Sequence, residues 1–193
     1  WLELASTLQG TLDRDFWGGG VYYTMSAADT SILIRTKSDY DGAEPCATSV
    51  AAMNLFRLGA YFDNEEMRTR GREILAFCLD QKNTPYSMNE LLGAAVCQLL
   101  TPKQIVILHK NGQDADASRL SNVIQKLFLP NRVLMKINAD ISADQSRLKS
   151  SLNIGAKLEC IDGEPTAYVC EKSSCSLPVT EESELFELVV EGC

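Results

Sequence analysis

The 193-residue chain has little of what membrane or nucleic-acid recognition requires. Its longest strongly apolar stretches, 91–100 and 185–190, are too short to span a bilayer, and no charged-then-apolar signal segment opens it. Lysine and arginine are scattered along the chain, and the net charge of -8 repels phosphate backbones and anionic lipid headgroups. These absences exclude nucleic acid and membrane surfaces as expected partners. They favour a soluble protein, cytoplasmic rather than secreted.

Residues that bind metal ions or phosphate are also scarce. His109 is the only histidine, and the seven cysteines are irregularly spaced and odd in number, unlike a secreted disulfide framework. Zinc normally takes four ligands, and no set of cysteine and histidine stands at a recognised zinc spacing. The glycine run 18–20 lacks the lysine and the serine or threonine of a phosphate loop, so it predicts a turn. The sequence therefore predicts no metal site and no cofactor.

The composition, 45% apolar and 23% charged, is that of an ordinary globular protein. Helical spacing of apolar residues predicts four helices in the first half, at 1–16, 46–62, 64–81 and 88–99. The second is apolar on nearly all sides and should be enclosed, whereas the third has one apolar stripe and should lie outside. Ser87 and Glu90 form a capping box at the start of the fourth. Two β-like runs, 21–25 and 31–36, predict a hairpin after the first helix.

The pattern changes at Pro102, after which strand-like and helix-like segments alternate. Strands are predicted at 104–108, 132–137 and 166–170, and helices at 120–127, 144–152 and 181–190. Such alternation implies right-handed βαβ crossovers and a small parallel or mixed sheet. We therefore expect an α+α/β fold, with helical hairpins in residues 1–101 and a small three-stranded α/β unit in residues 102–193.

The beginning of the chain suggests a missing neighbour. Trp1 already belongs to an apolar stripe with helical spacing that continues through Leu4, Leu8, Leu12 and Phe16. The partners of this stripe should precede it, so we expect the C-terminal portion of a larger protein. Apolar faces left uncovered would then contact the remainder of the full-length chain or drive self-association.

Three stretches carry a resemblance to a known family: SDYDGAEP at 38–45, SVAAMNLFRL at 49–58 and PTAYVCEKSSCSLPVT at 165–180. Together they resemble the C-terminal part of the spermatogenesis-associated protein 20 family. The resemblance implies a larger protein with a thioredoxin-like domain followed by an (α/α) toroid, similar to that of N-acylglucosamine 2-epimerases, in which helical hairpins ring a pocket. It implies no assigned reaction. Either the pocket binds or processes a carbohydrate, or the toroid is a non-catalytic scaffold that positions the thioredoxin-like redox domain.

The DYDGAEP loop is the main candidate site, because three carboxylates precede an enclosed helix whose first N–H groups favour negative charge. In a toroid this loop would face the pocket. Paired acids can perform acid–base chemistry, so Asp41 and Glu44 are the candidate catalytic residues. The candidate substrate-binding residues are Asp39, Tyr40, Arg35 and Tyr22. The alternative is that the acids cap the helix while Gly42 supplies a turn, with no ligand involved.

Two further features have both a functional and a structural interpretation. Cys170 and Cys175 are candidate redox residues in a serine-rich loop after a strand, and the structural interpretation, which the sequence favours, is a local disulfide or two ordinary thiols. His109 follows the strand at 104–108, where ligands bind in open α/β folds. It is otherwise a surface histidine or one whose hydrogen bonds are satisfied within the fold.

Overall fold

The computed structural model describes residues 1–80, 87–100, 102–141, 158–171 and 174–191. The chain divides into two compact units, residues 1–100 and 101–193. The described residues form six α-helices and two small sheets, a mixed α and β fold compatible with the α+α/β class. Within these ranges no helix combines the length and the apolar character needed to cross a bilayer. The helix predicted at 144–152 lies outside the described residues.

The first unit is built around one buried helix. Its helices are α1 (Leu2–Asp15), α2 (Ala47–Tyr61), α3 (Glu65–Asp80) and α4 (Asn89–Leu99). Helix α2 packs against both α3 and α4, and Ala52 and Leu55 at its centre are fully buried. The prediction that this helix is enclosed is confirmed, because an apolar residue on nearly every side requires a neighbour on nearly every side.

Helix α3 approaches α2 closely because Gly71 has no side chain. A Cβ added at Gly71 would lie 2.6 and 2.7 Å from two ring carbons of Phe56, which is buried on α2. These distances are well below van der Waals contact, so the phenylalanine ring occupies the space that any larger residue would need. The missing side chain at Gly71 therefore lets the two helices pack closely at this point.

The predicted hairpin forms from different residues. Strands β1 (Trp17–Gly18) and β2 (Val21–Tyr22) pair antiparallel around Gly19 and Gly20, whose positive φ angles suit a tight turn. The expected strand at 31–36 is wrong: the segment forms no ladder, its Thr36 carbonyl accepts one backbone bond from Thr24, and an isolated bridge to Tyr23 follows at Lys37. Leu33 and Ile34 lie exposed, so no covered face holds the segment in a ladder.

In the part of the second unit that the structure describes, a four-stranded mixed sheet stands with two α-helices. Its elements are β3 (Lys103–His109), α5 (Asp114–Gln125), β4 (Arg132–Asn138), β5 (Thr166–Glu171), β6 (Ser174–Cys175) and α6 (Glu182–Glu191). The strand order is β4-β3-β5-β6, with β3 parallel to β4 and antiparallel to β5. The three predicted strands are confirmed, and the two-residue β6 adds a fourth.

Strand β3 is the centre of this sheet. Its odd positions, Ile105 and Ile107, pack with apolar residues of α5 and α6 in one core cluster. Its even positions, Val106 and Leu108, are buried as well. Burial on both faces is what the uninterrupted apolar run at 104–108 predicts. A strand with one solvent-exposed face would instead show alternating apolar and polar residues.

We predict that Gly71→Ala destabilises the protein by about 1–3 kcal/mol, because the new methyl group overlaps the Phe56 ring. Gly10→Ala is the matched control. Gly10 lies inside α1 with nothing within 4 Å of an added Cβ, so alanine should stabilise by about 0.5–1 kcal/mol through helix propensity. Urea unfolding of the two variants measures both effects, and equal changes would contradict the packing argument.

Candidate functional site

The acidic loop at 38–45 is held in place by Asp41. Its Oδ1 accepts a hydrogen bond from the backbone N–H of Cys46 at 2.7 Å, and its Oδ2 accepts one from the N–H of Glu90 at 2.9 Å. The N–H of Asp41 donates to the carbonyl of Ser87 at 2.7 Å. Cys46 is the N-cap residue of α2, and Glu90 is in the first turn of α4. One carboxylate therefore satisfies backbone donors at the start of two helices.

This environment keeps Asp41 ionised. Partial burial raises the pKa of its carboxyl, but hydrogen bonds from the backbone of Cys46 and Glu90 and from the Ser49 side chain outweigh burial and hold the pKa below its ordinary 3.8. The positive ends of two helix dipoles act in the same direction. A general acid needs a proton near neutral pH, and both oxygens of Asp41 are already occupied by N–H groups. The geometry thus favours the capping alternative for Asp41.

The other side chains of the loop point into solvent. Asp39, Tyr40 and Glu44 are exposed, and none of the three makes a side-chain hydrogen bond within the described ranges. The Tyr40 ring lies over Gly42, where an added Cβ would be 3.1 Å from a ring carbon. The N–H of Gly42 donates to the carbonyl of Glu44 at 3.1 Å, which closes a local turn. These three side chains remain available for a ligand.

Arg35 is engaged with the backbone instead of the loop acids. Its Nε donates to the carbonyl of Met25 at 3.0 Å and its Nη2 to the carbonyl of Phe16 at 3.3 Å. Its guanidinium lies 4.1 Å from the centre of the Tyr23 ring, a cation–π distance. These contacts tie the segment after β2 to the end of α1. A substrate-binding role for Arg35 stays a prediction.

Tyr22 belongs to a buried polar network that the sequence analysis missed. Its hydroxyl donates to Oδ1 of Asp13 and accepts from Nε2 of Gln9 at 2.8 Å, while Arg70 forms an ion pair with the other oxygen of Asp13. Burial, followed by the Asp13 carboxylate, raises the pKa of the Tyr22 phenol above its ordinary 10.0. The only sequence signal was the spacing of four between Gln9 and Asp13 on one helix. Tyr22 and Arg70 join this pair from separate elements.

A shallow groove of about 330 Å³ opens beside this network, between α1 and the start of α3. Its charged lining residues are paired with each other or with a neighbour: Arg70 with Asp13 and Glu66, and Arg14 with Asp15. One of them, Asp13 with Arg70, joins α1 to α3. They leave no unpaired charge to identify a ligand.

In the second unit Cys170 and Cys175 are joined by a disulfide, which is the local pairing that the sequence left open. Across the described residues Cys46, Cys78 and Cys97 are free, and so is Cys160. Among those same residues no group of three or more potential ligands could hold a metal ion. His109 is almost fully buried and its Nδ1 donates to the carbonyl of Lys110 at 3.0 Å. This bond favours the satisfied histidine over a ligand-binding one.

Comparison with known proteins identifies relatives over almost the whole chain. Spermatogenesis-associated protein 20 from Homo sapiens is 36% identical over 193 residues, or 98% of the chain. The proteins of the same name from Rattus norvegicus and Mus musculus are 34% and 33% identical over the same share. The resemblance to the spermatogenesis-associated protein 20 family is confirmed. No protein-family model matches the chain.

The chain spans about a quarter of the length of these spermatogenesis-associated relatives, 24% of each. Their names state neither a reaction nor a ligand. In the acidic loop Asp41 has a structural partner on each side, whereas Asp39, Tyr40 and Glu44 make no side-chain hydrogen bond among the described residues.

We predict that Asp41→Ala lowers the free energy of unfolding by about 1–3 kcal/mol, because two backbone donors lose their acceptor. The folded pKa of Asp41 is lowered, so its contribution is complete above the unfolded value of 3.8 and is lost as the pH falls through the folded value. The stability difference between wild type and variant should thus shrink below about pH 4.

The control for this prediction is Glu44→Ala, since Glu44 is exposed and makes no side-chain hydrogen bond among the described residues. It should change stability by less than about 0.5 kcal/mol at any pH. Urea unfolding at pH 7, 5 and 3 measures both variants. A loss for Glu44→Ala as large as for Asp41→Ala would contradict the assignment of the cap to Asp41.

Proposed function

We propose that residues 1–100 act as a non-catalytic scaffold in a longer protein, packing through exposed apolar ridges against the rest of that protein. The resemblance to the family makes the thioredoxin-like redox domain the partner that this surface positions. The observation that carries the proposal is the two-sided apolar character of α4.

Helix α4 has one apolar face inside the unit and a second one in solvent. Leu91 and Ala94 are buried against α2 and its neighbours. Leu92, Val96 and Leu99, at spacings of four and three, form an outer ridge, with Val96 51% and Leu99 82% exposed. A surface helix of a protein that works alone has a polar outer face. An apolar ridge in that place supports a further packing partner.

Helix α1 has a second ridge of the same kind. Trp1, Leu4 and Leu8 are exposed, whereas Leu12 and Phe16 further along the same stripe pack against the core. The stripe is therefore satisfied by this unit only at its C-terminal end. Each leucine moved from water into an interface would contribute up to about 1.5–3 kcal/mol, so covering the ridges is strongly favoured.

The relatives are long enough to contain such a packing partner. The chain corresponds to 24% of each of them, so about three quarters of each relative has no counterpart here. The role of Asp41 agrees with a scaffold, since its carboxylate stabilises helix ends. On this proposal the acidic loop fixes the arrangement of α2 and α4, and α4 presents the ridge.

We predict that the isolated chain self-associates with increasing concentration, because the described residues leave both ridges exposed, and that Val96→Lys with Leu99→Lys, which charges the α4 ridge, weakens this association. Leu33→Lys is the matched control, since Leu33 is an apolar residue 98% exposed in a loop, outside either ridge. Sedimentation velocity over a hundredfold range of concentration measures all three proteins. The remaining three quarters of the human relative, produced separately, should bind the wild type and not the ridge variant.

A wild-type chain that sediments as a monomer at every concentration and does not bind that polypeptide would contradict the scaffold. A control variant that loses association as the ridge variant does would contradict the location of the interface. Circular dichroism of each variant verifies that the lysines have not unfolded the helices.

A second candidate function is carbohydrate binding by the outer part of the acidic loop. The observation that favours it is that Asp39, Tyr40 and Glu44 are exposed and are not used by the fold within the described residues. Carboxylates accept hydrogen bonds from sugar hydroxyls, and a tyrosine offers both a hydroxyl and an aromatic face. Asp41 would then orient the loop without touching the sugar.

We predict, for this candidate, that one member of a panel of sugars and sugar phosphates raises the melting temperature of the wild type. At a ligand concentration of 100 times Kd the stabilisation is about 2.7 kcal/mol. The shift should shrink in Glu44→Gln and Asp39→Asn and persist in Glu181→Gln, an exposed acid of the second unit. A panel without any shift removes the carbohydrate candidate and leaves the scaffold.

A further inference from the structure

We propose that the Cys170–Cys175 disulfide is a site of reversible thiol–disulfide exchange, in which a dithiol reductant opens the bond and releases the β5–β6 hairpin at the edge of the sheet. This inference concerns the second unit alone and does not rest on the proposed scaffold. It requires that an external thiol can reach one of the two sulfurs and that the bond fixes the neighbouring backbone in place. It also requires that other thiols of the protein do not react instead.

The two cysteines differ in accessibility. They stand directly opposite each other in the antiparallel pairing of β5 with β6. Cys170 is only 1% exposed, whereas Cys175 is half-buried on the two-residue strand at the sheet edge. An external thiolate can therefore reach the bond from the side of Cys175, and Cys170 is the sulfur that leaves. Accessible disulfides are the ones that exchange readily.

The disulfide holds the start of a segment that borders β5. Beyond Cys175, the N–H of Ser176 donates to the carbonyl of Val169 at 2.8 Å. Further on, Ala167 and Val179 exchange two backbone hydrogen bonds of 2.8 and 3.0 Å. Val179 packs against the core cluster of the unit. Opening the disulfide frees one end of this segment while its other end remains anchored.

Next to Cys170, Glu171 links the hairpin to the last helix. Its carboxylate lies 3.5 Å from Nζ of Lys103, a largely buried lysine. The same Nζ donates to the carbonyl of Val189 on α6 at 3.0 Å. The position of Glu171 depends on the pairing of β5 with β6. Release of the hairpin is therefore expected to loosen the contact between Lys103 and α6 as well.

The disulfide joins residues only five positions apart. A small ring removes less chain entropy from the unfolded state than a long-range crosslink does. The strands β3, β4 and β5 pair without any help from it. Reduction should thus change the hairpin locally and leave the rest of the sheet folded, which is the property that a reversible site needs.

The exchange is balanced as follows. A thiolate of the dithiol attacks Sγ of Cys175, a mixed disulfide forms, and the electron pair of the broken bond leaves on Sγ of Cys170, which takes a proton from water. The second thiolate of the dithiol then attacks its own sulfur in the mixed disulfide and releases Cys175 as a thiolate, which is protonated. The dithiol is oxidised to a cyclic disulfide, and the protein gains two thiols.

The other free thiols of the described residues are poor competitors: Cys46 is buried away from an external thiol, and the remaining three have a raised pKa. Cys78 is buried, and burial raises its pKa to about 11. Burial likewise raises the pKa of Cys97 and of Cys160. The thiolate is the reacting form, so these cysteines are suppressed as nucleophiles at neutral pH.

We predict that dithiothreitol at pH 7.5 reduces the Cys170–Cys175 pair without denaturant. Free thiols are first blocked with iodoacetamide, and the newly reduced cysteines are then labelled with a maleimide and located by peptide mass spectrometry. The rate should not depend on urea at concentrations below the unfolding transition. Labelling of both cysteines before any reductant is added, or reduction only within the unfolding transition, would overturn the proposal.

Hydrogen exchange tests whether reduction releases the hairpin. The amide of Ser176 should lose protection on reduction, while those of Ala167 and Val179 at the anchored end and those of β3 keep it. The melting temperature should fall by roughly 5–15 °C. Reduction with no change in protection or melting temperature would show that the disulfide does not hold β6 against β5. That result would also overturn the proposal.

Two variants complete the test. Cys170→Ser with Cys175→Ser should reproduce the protection pattern of the reduced protein and should not respond to dithiothreitol. Cys97→Ser is the control and should respond as the wild type does, because Cys97 is a free thiol of the first unit. A dithiothreitol-dependent change that persists in the double serine variant would assign the effect to another cysteine and exclude this site.

Discussion

The carboxylate of Asp41 is the contact on which the first unit depends. It accepts one N–H from the start of α2 and another from the start of α4, two segments separated by about forty residues of chain. Helix N-termini leave backbone donors unsatisfied, and burying them without an acceptor is costly. Because one ionised carboxylate accepts hydrogen bonds from both helices, the N-terminal ends of α2 and α4 must lie close together. Helix α2 can then be enclosed between α3 and α4.

Within the acidic loop, one side chain is bound by the fold and three are not. Asp41 is engaged by backbone groups, while Asp39, Tyr40 and Glu44 face solvent. Elsewhere in the unit, the buried polar groups of Tyr22 and its partners satisfy each other. What the described residues leave unsatisfied in this unit is mainly apolar, on the outer sides of α1 and α4. A surface with that character is suited to packing against protein.

Much of the fold could be predicted from local patterns, and the failures have a common cause. The apolar run at 104–108 identified a strand buried on both faces, and the composition of α2 identified an enclosed helix, because both signals lie within one segment. The run at 31–36 has strand-like residues but no covered face, and only the structure reveals that Leu33 is exposed. Local propensity was overridden there by the absence of a neighbour.

The candidate site was predictable in position but not in detail. The sequence located three carboxylates before α2 and offered capping as one explanation. It could not reveal that Asp41 also binds Glu90, because their separation of 49 positions leaves no periodic signal. The same applies to Arg70 and Tyr22, which meet Asp13 from different elements. The disulfide was one of the stated possibilities, because its two residues are close along the chain.

The most direct test of this account is the pKa of Asp41 itself, measured from the pH dependence of its ¹³C carboxyl resonance. We expect a pKa below the ordinary 3.8 that does not change when sugars are added, since both oxygens are bound by backbone N–H groups. A pKa at or above 3.8, or one that moves on addition of a sugar, would contradict the structural role of this residue.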